Sequence, residues 1–432
     1  MIHQTIFRKD FTLMVIGQII SLFGNAILRF ALPLYLLNQT HSAALFGIVS
    51  ACSFLPMIIL SPVGGIIADR VNKRNIMVIL DFSTAALVLI FTLLMGSVDL
   101  VLLIIVTLMV LYGIQGTYQP TVQASIPSLI ASDKLMPANA VINLVSSLAG
   151  LIGPVIGGAL FAFWGITPVL YVSIASFLFS AILEIFIHIP FEKKKANGSF
   201  LSIAFNDIKE SMDFIRNKKP IIGKATLIIA AINLFFSSII IIGLPIVITQ
   251  LLDFNETLAN QLYGYCQGAL AGGGLLGGVL AGILSKKFNI RRSHRLLYIC
   301  SLLLIPISLA LALQLPAMLT YYILLVCCFI TMSASSIFTI EMISFLQLIT
   351  PSDLIGKVMA LVMCLCMCAH PLGQLMYGGL FEAIPEKAYL FFLGAALISG
   401  IVSMLSKASF SRLEREAPEI ENVDYLLKEK CV

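Results

Sequence analysis

Charge is what this chain has least of. Only 11% of its 432 residues are Asp, Glu, Lys or Arg, where a soluble globule carries about a quarter. Too little polar surface remains to cover a water-exposed fold. With 59% hydrophobic residues and a mean hydropathy of +1.01, the sequence describes an integral membrane protein. The nine cysteines lie mostly inside apolar runs, where a thiol behaves as a small hydrophobe, so no disulfide framework is expected. Cys364, Cys366 and Cys368 lack a His or acid to complete a metal set. The glycine-rich stretch over 268–282 lacks the Gly-Lys-Ser/Thr end of a phosphate loop. No metal, no cofactor and no ATP are therefore expected. Neither a nucleophile with a base nor an acid-base pair is evident, which argues against an enzyme.

What the chain does have is twelve apolar runs, the first over 11–37 and the last over 387–407, each long enough to cross a bilayer. The expected fold class is all-α integral membrane. The net charge of +5 implies no nucleic-acid partner, because its distribution explains it. With both termini cytoplasmic, 25 of the 27 basic residues fall in inner segments, leaving Lys387 outside and Arg29 within a helix. A bacterial inner (plasma) membrane is the expected home, with lipid around a monomer. The long connection over 190–220 is read as a cytoplasmic linker. Within it Phe200, Ile203, Ala204, Ile208, Met212 and Ile215 form one helical stripe opposite Asp207, Lys209, Glu210 and Asp213, predicting a helix on the inner membrane surface. The expected layout is an N-terminal half over 1–189, that linker, a C-terminal half over 221–407 and a charged tail over 408–432.

The halves repeat one another. A shift of 217 lays Leu45, Gly47, Gly65, Ile66 and Asn72 on Leu262, Gly264, Gly282, Ile283 and Asn289. A shift of 220 lays Ala149, Gly153, Gly158, Leu160 and Phe161 on Ala369, Gly373, Gly378, Leu380 and Phe381. Two pseudo-symmetric six-helix halves are the plan of a transporter that rocks about a midplane site.

Between runs 2 and 3 stands Gly65-Ile66-Ile67-Ala68-Asp69-Arg70-Val71-Asn72-Lys73-Arg74. It resembles the Gly-x-Leu-Ala-Asp-Arg-x-Gly-Arg-Arg signature of the major facilitator superfamily, with Ile67, Asn72 and Lys73 as departures. The glycine permits close helix approach, and Asp69 is suited to pairing in one gate state only. In the second copy Lys286 takes the acid's place, so the two gates are expected to differ. Gly65, Asp69, Arg70, Arg74 and Asp81 form the expected gating set. In run 5, Ala149-Gly150-Leu151-Ile152-Gly153-Pro154-Val155-Ile156-Gly157-Gly158 resembles the exporter-branch pattern Gly-x-x-x-Gly-Pro-x-x-Gly-Gly, with Ala149 replacing its first glycine. Gly153, Pro154, Gly157 and Gly158 are read as a helix-packing face. The chain as a whole is similar to the macrolide-efflux and enterobactin-exporter group of drug:proton antiporters.

Polar side chains in membrane helices are costly and usually face a cavity or a partner. Asn25 and Arg29 share a face, as do Gln115 and Gln119, by i, i+4 spacing. The resemblance places runs 1, 4, 7 and 10 around a central cavity. Asn25, Arg29, Gln115, Gln119 and Asn233 are accordingly expected to contact a small-molecule substrate, and Glu341 to couple transport to protons. Glu184 and His188 share a helical face near the inner end of run 6 and are read as reaching headgroups or water. The implied function is export of an amphipathic drug-like or macrolide-like molecule by proton antiport. The alternatives are a siderophore or lysolipid exporter, favoured by Arg29, and a non-transporting scaffold or receptor.

Overall fold

In a bilayer every backbone polar group must be satisfied within its own segment, which forces long apolar runs into helices. The computed structural model describes residues 8–130, 134–190, 208–284, 293–351 and 354–416. The side chains of Pro62, Val63, Gly65, Ile66, Ala68, Asp69, Arg70, Met136 and residues 408–416 lie outside the described set. Among the described residues the protein is almost wholly helical. It has twelve helices long and apolar enough to span a membrane.

The first six are α1 (Lys9–Thr40), α2 (Ala43–Arg70), α3 (Lys73–Leu94), α4 (Leu100–Leu129), α5 (Leu135–Trp164) and α6 (Ile166–Ile185). The next six are α7 (Pro220–Leu251), α8 (Glu256–Leu284), α9 (Ser293–Ala312), α10 (Ala317–Leu348), α11 (Ile355–Ala383) and α12 (Ala388–Glu416). Several of their starts carry side-chain caps that satisfy orphan backbone donors. Ser42 accepts from Leu45, Asn72 from Arg74 and Asp99 from Leu102. A lone left-handed residue, His41 at φ 51°, ends α1. Two π-helical stretches, Asn233–Ser237 and Val247–Leu251, interrupt α7.

One expectation falls only partly on the described residues, and two change. Residues 191–207, with Phe200, Ile203, Ala204 and Asp207 of the linker stripe, lie outside the described set. The remainder, 208–218, is helical, with Ser211, Phe214 and Ile215 buried and Ile208 and Met212 exposed. Of the two that change, α12 continues to Glu416, into the segment read as tail, because nothing breaks its pattern before Pro418. In addition, α6 stops at Ile185 with Phe186 as its cap, so Glu184 and His188 do not share a helical face.

Two compact units emerge. The first holds residues 1–196 together with 244–271 and 378–383; the second holds 197–243, 272–377 and 384–432. In the first, α1 packs on α5 and α6, α2 on α4, and α3 on α6. The α2–α4 crossing brings backbones together, since a Cβ on Gly64 would stand 2.5 Å from Thr117 Cα. The sequence repeat reappears as paired contacts. A Cβ on Gly158 would lie 3.1 Å from Gly264 Cα, and a Cβ on Gly378 3.0 Å from Gly47 Cα. Those four glycines are the same two repeat positions, so one helix crossing is made twice. In the second unit α9 packs on α10 and α12, and α7 on α12. There α11 meets α7 where Gly373 abuts Leu234 and Ser238.

Candidate functional site

A cavity of about 450 Å³ opens within the first unit. Helix α1 contributes Leu22, Asn25, Ala26, Arg29 and Phe30, and α4 contributes Tyr112, Gln115 and Gln119. Helix α5 adds Ser146, Ala149, Gly150 and Pro154, and the first half of α8 adds Tyr263 and Gln267. Four of the five residues expected to contact substrate, Asn25, Arg29, Gln115 and Gln119, therefore line one space. Asn233 belongs to the second unit, at the start of a π-helical stretch, where its amide donates to the Cys366 carbonyl at 2.9 Å.

Arg29 is held from two sides. Its guanidinium donates to Gln115 Oε1, and its carbon sits 3.7 Å from the Tyr112 ring centroid. A cation over an aromatic face, with one donor already used, keeps its position without a carboxylate. No Asp or Glu lines this cavity among the described residues. The same cavity has an aromatic shelf, Phe30 stacked on Tyr263 at 5.0 Å between centroids, with Gln267 donating to the Tyr263 hydroxyl at 2.8 Å. Tyr112, Phe30, Tyr263 and Gln267 were missed in the sequence. The available signal was Tyr112 at i−3 to Gln115 and Tyr263 at i−4 to Gln267, but aromatic residues in an apolar run read as ordinary packing.

The helix-packing set lies beside the cavity. A Cβ on Gly153 would come within 2.5 Å of Ala26 Cβ, Gly157 faces Ile27, and Pro154 offers its carbonyl 3.0 Å from where a Gly264 Cβ would be. Where α1 ends, polar side chains join the same unit. Asn38 donates to Glu256 Oε1 at 3.2 Å and to Asn260 Oδ1 at 3.0 Å. Glu382 accepts from Ser42 Oγ at 3.0 Å and from the Ala44 backbone N–H at 3.1 Å, a carboxylate on the N-terminus of α2.

The expected gating residues lie at the α2–α3 turn and along α3. Gly65, Asp69 and Arg70 occupy the last turns of α2, and their side chains lie outside the described set. Arg74 lies in the first turn of α3, its Nε buried without a hydrogen-bond partner among the described residues. Asp81, two turns along α3, is 2% exposed and accepts from Ser21 Oγ at 2.9 Å, so it is a core residue of the bundle. Glu184 is a correction. It is 0% exposed and takes a 2.7 Å hydrogen bond from the Tyr118 hydroxyl, so it does not reach headgroups or water. Packing of α6 on both α1 and α3 encloses it. His188 is exposed, and its backbone N–H donates to Asp10 at 2.9 Å. Glu341, on α10 in the second unit, is half-buried and accepts from Ser293 Oγ at 2.6 Å.

Twelve spanning helices carrying a tandem repeat, with an amphipathic cavity inside the bundle, define a multi-pass membrane transporter. The family model of the Major Facilitator Superfamily matches residues 14–374, and the chain belongs to that family. It is 24% identical over 387 residues to macrolide efflux protein A of Streptococcus pyogenes, covering 88% of this chain and 91% of that one. It is 25% identical over 391 residues to the multidrug efflux pump Tap of Mycolicibacterium fortuitum, again covering 88% and 91%. Among solved structures, the nucleoside transporter NupG is similar with a TM-score of 0.69 at 14% identity, over 93% of this chain and 98% of that one. That last likeness is one of fold alone.

Proposed function

We propose that this transporter exports amphipathic small molecules, drug-like or macrolide-like, in exchange for protons by alternating access. The observation that carries the reading is the cavity of the first unit, which a fixed cation and four amides line together with a stacked aromatic pair. Such a lining takes up a molecule with one apolar and one polar face. The efflux named in the two relatives supports the outward direction. In this reading Asn25, Arg29, Gln115, Gln119 and Asn233 contact substrate, Asp69, Arg70, Arg74 and Gly65 act at the gate, and Glu341 carries a coupling proton. The protein works as a monomer in the bacterial inner membrane with both termini inside, which the placement of basic residues supports.

The test is accumulation of labelled erythromycin and of fluorescent amphipaths in cells making the protein, with and without a protonophore. Accumulation is expected to fall when the protein is made, and to recover with the protonophore, with Asp69→Asn and with Glu341→Gln. Unchanged accumulation across the panel, with the protein confirmed in the membrane, overturns the reading. Loss of export in Asp69→Asn alone, with Glu341→Gln fully active, removes only the coupling role of Glu341.

One observation favours a second reading. Arg29 has no carboxylate beside it in the cavity, which suits a substrate bearing an acidic group, such as a carboxylate siderophore or a lysolipid. Comparing an amphipathic carboxylic acid with its methyl ester separates the two. Preference for the acid that disappears in Arg29→Gln selects the anionic class.

A further inference from the structure

Away from the cavity, four helices of the first unit enclose a cluster of polar side chains that the export reading does not use. Helix α1 supplies Gln18 and Ser21, α3 Asp81, α4 Tyr118 and α6 Glu184. Gln18 and Glu184 are 0% exposed, Asp81 is 2% and Tyr118 4%. The helices that carry the two carboxylates, α3 and α6, pack directly on each other. Gly17 lets α1 approach here, since a Cβ on it would stand 3.3 Å from Ser180 Oγ and 3.5 Å from Glu184 Cγ.

A donor count exposes the anomaly. Gln18 Nε2 donates to the Tyr118 hydroxyl at 2.8 Å, that hydroxyl donates to Glu184 Oε1 at 2.7 Å, and Ser21 Oγ donates to Asp81 Oδ1 at 2.9 Å. Ser180 spends its hydroxyl on the Gly17 carbonyl at 3.0 Å. One further donor remains, the second N–H of Gln18 Nε2, and Ser180 Oγ also lies beside Asp81. Three acceptors, Asp81 Oδ2, Glu184 Oε2 and Gln18 Oε1, are buried with no hydrogen-bond partner among the described residues. Buried polar oxygens are rarely left so, because each costs free energy until a donor reaches it.

Among the described residues no cation is hydrogen-bonded to either acid. On the four helices packed here, the charged groups outside the cluster lie well along the chain. Lys73 and Arg74 open α3 about two turns before Asp81, Lys9 and Asp10 open α1 about two turns before Gln18, and Arg29 lies two turns beyond Ser21, occupied by Gln115 and Tyr112. His188 lies past the end of α6 and is exposed, and the described part of α4 bears no Lys, Arg or Asp/Glu. Two buried carboxylates without a cation are costly as a pair of charges. A hydrogen ion bound to one of them removes a charge and at the same time converts an orphan acceptor into a donor able to satisfy a second orphan.

We propose that Asp81, Glu184, Tyr118 and Gln18 form a proton-binding site in the core of the first unit, distinct from Glu341, which gains and loses a proton during the transport cycle. The inference deepens the proton-exchange reading and rests on it for its place in transport, though not for the binding of the proton itself. The proton adds to one carboxylate oxygen, forming an O–H bond, and leaves as the hydrogen ion it was. Its effect reaches the cavity through two helices. Ser21 and Tyr118 precede the cavity residues Leu22 and Gln119 on α1 and α4, so retying the cluster repositions one wall of the substrate site.

The test begins without substrate. The full chain, purified and placed in lipid vesicles, is examined by infrared difference spectroscopy between acidic and alkaline buffer, in light and heavy water. The expected result is a protonated-carboxyl C=O band that shifts in heavy water, persists in Glu341→Gln and is lost in the Asp81→Asn, Glu184→Gln double variant. A Tyr118→Phe variant keeps both carboxyls and is expected to keep the band while moving its pH midpoint. A second measurement uses labelled erythromycin in the same vesicles. The double variant is expected to retain erythromycin counterflow, which needs no net proton movement, while losing most of the stimulation by an imposed pH gradient. A band unchanged in the double variant overturns the site. A lost band together with full pH-gradient stimulation overturns its role in the cycle. If the wild-type protein moves erythromycin but ignores the gradient, the proton-exchange reading fails, and the band still decides whether these residues bind a proton. Normal counterflow in the double variant separates the proposal from misfolding.

Discussion

Arg29 shows how much one side chain can hold. In an apolar helix an arginine is expensive unless its charge is used, and here Gln115 and the Tyr112 face use it without neutralising it. Arg29→Gln is therefore expected to weaken binding of an acidic amphipath by about tenfold, roughly the 1.4 kcal/mol of one charge-assisted contact. Arg29→Lys keeps the charge but loses the planar stack and should fall between the two. Equilibrium binding of one labelled acid to the three purified proteins checks the order, and equal affinity in all three would take Arg29 out of the site. The choice of Arg29, Asn25, Gln115 and Gln119 was legible in the sequence, because a polar residue in an apolar run stands out. Tyr112, Phe30 and Tyr263 were not, because an aromatic residue is equally at home against lipid, in a core or in a cavity. Glu184 was misread for a related reason. Its nearness to a helix end suggested the interface, whereas its exposure depends on what packs beside α6.

At the scale of the helix, the small residues of α5 differ in what they face. A methyl on Gly153 meets Ala26 Cβ at 2.5 Å, whereas one on Gly150, a turn away, meets nothing within 4 Å. Gly153→Ala should lower stability by about 1–3 kcal/mol through overpacking. Gly150→Ala should be neutral or gain up to about 1 kcal/mol from helix propensity. Thermal unfolding of the two variants in detergent measures the contrast, and similar melting would show that α5 does not sit on α1 as described. Both glycines belong to one sequence motif. The pattern marked a packing face, but only the crossing of α5 on α1 tells which of its members touches a neighbour.

For the whole molecule, the repeated glycine contacts and the hydrogen bonds of Asn38 and Glu382 tie the end of α1 and the start of α2 to α8 and α11, and α5 to α8, at one end of the first unit's helices. Alternating access requires that end to open in each cycle. A short thiol crosslinker applied to Asn38→Cys with Asn260→Cys should stop erythromycin export, with recovery on cleavage of the linker, while either single variant stays active under the same reagent. Full export by the crosslinked protein would mean that this end does not open for transport.

Membrane residence, twelve spans, the tandem repeat and the charge asymmetry were all determined by the sequence alone. A bilayer imposes its demands locally, on span length, on backbone hydrogen bonds and on the side where Lys and Arg collect, so each can be read within about twenty residues. Which polar groups meet was decided only by the tertiary structure. Gln18 and Tyr118 are 100 residues apart in the chain, Tyr118 and Glu184 66, and Arg29 and Gln115 86. No period or motif encodes such pairs. They follow from how closely the helices approach, which is set by glycines whose partners lie on other helices, and so the buried acids came into view only once the bundle was assembled.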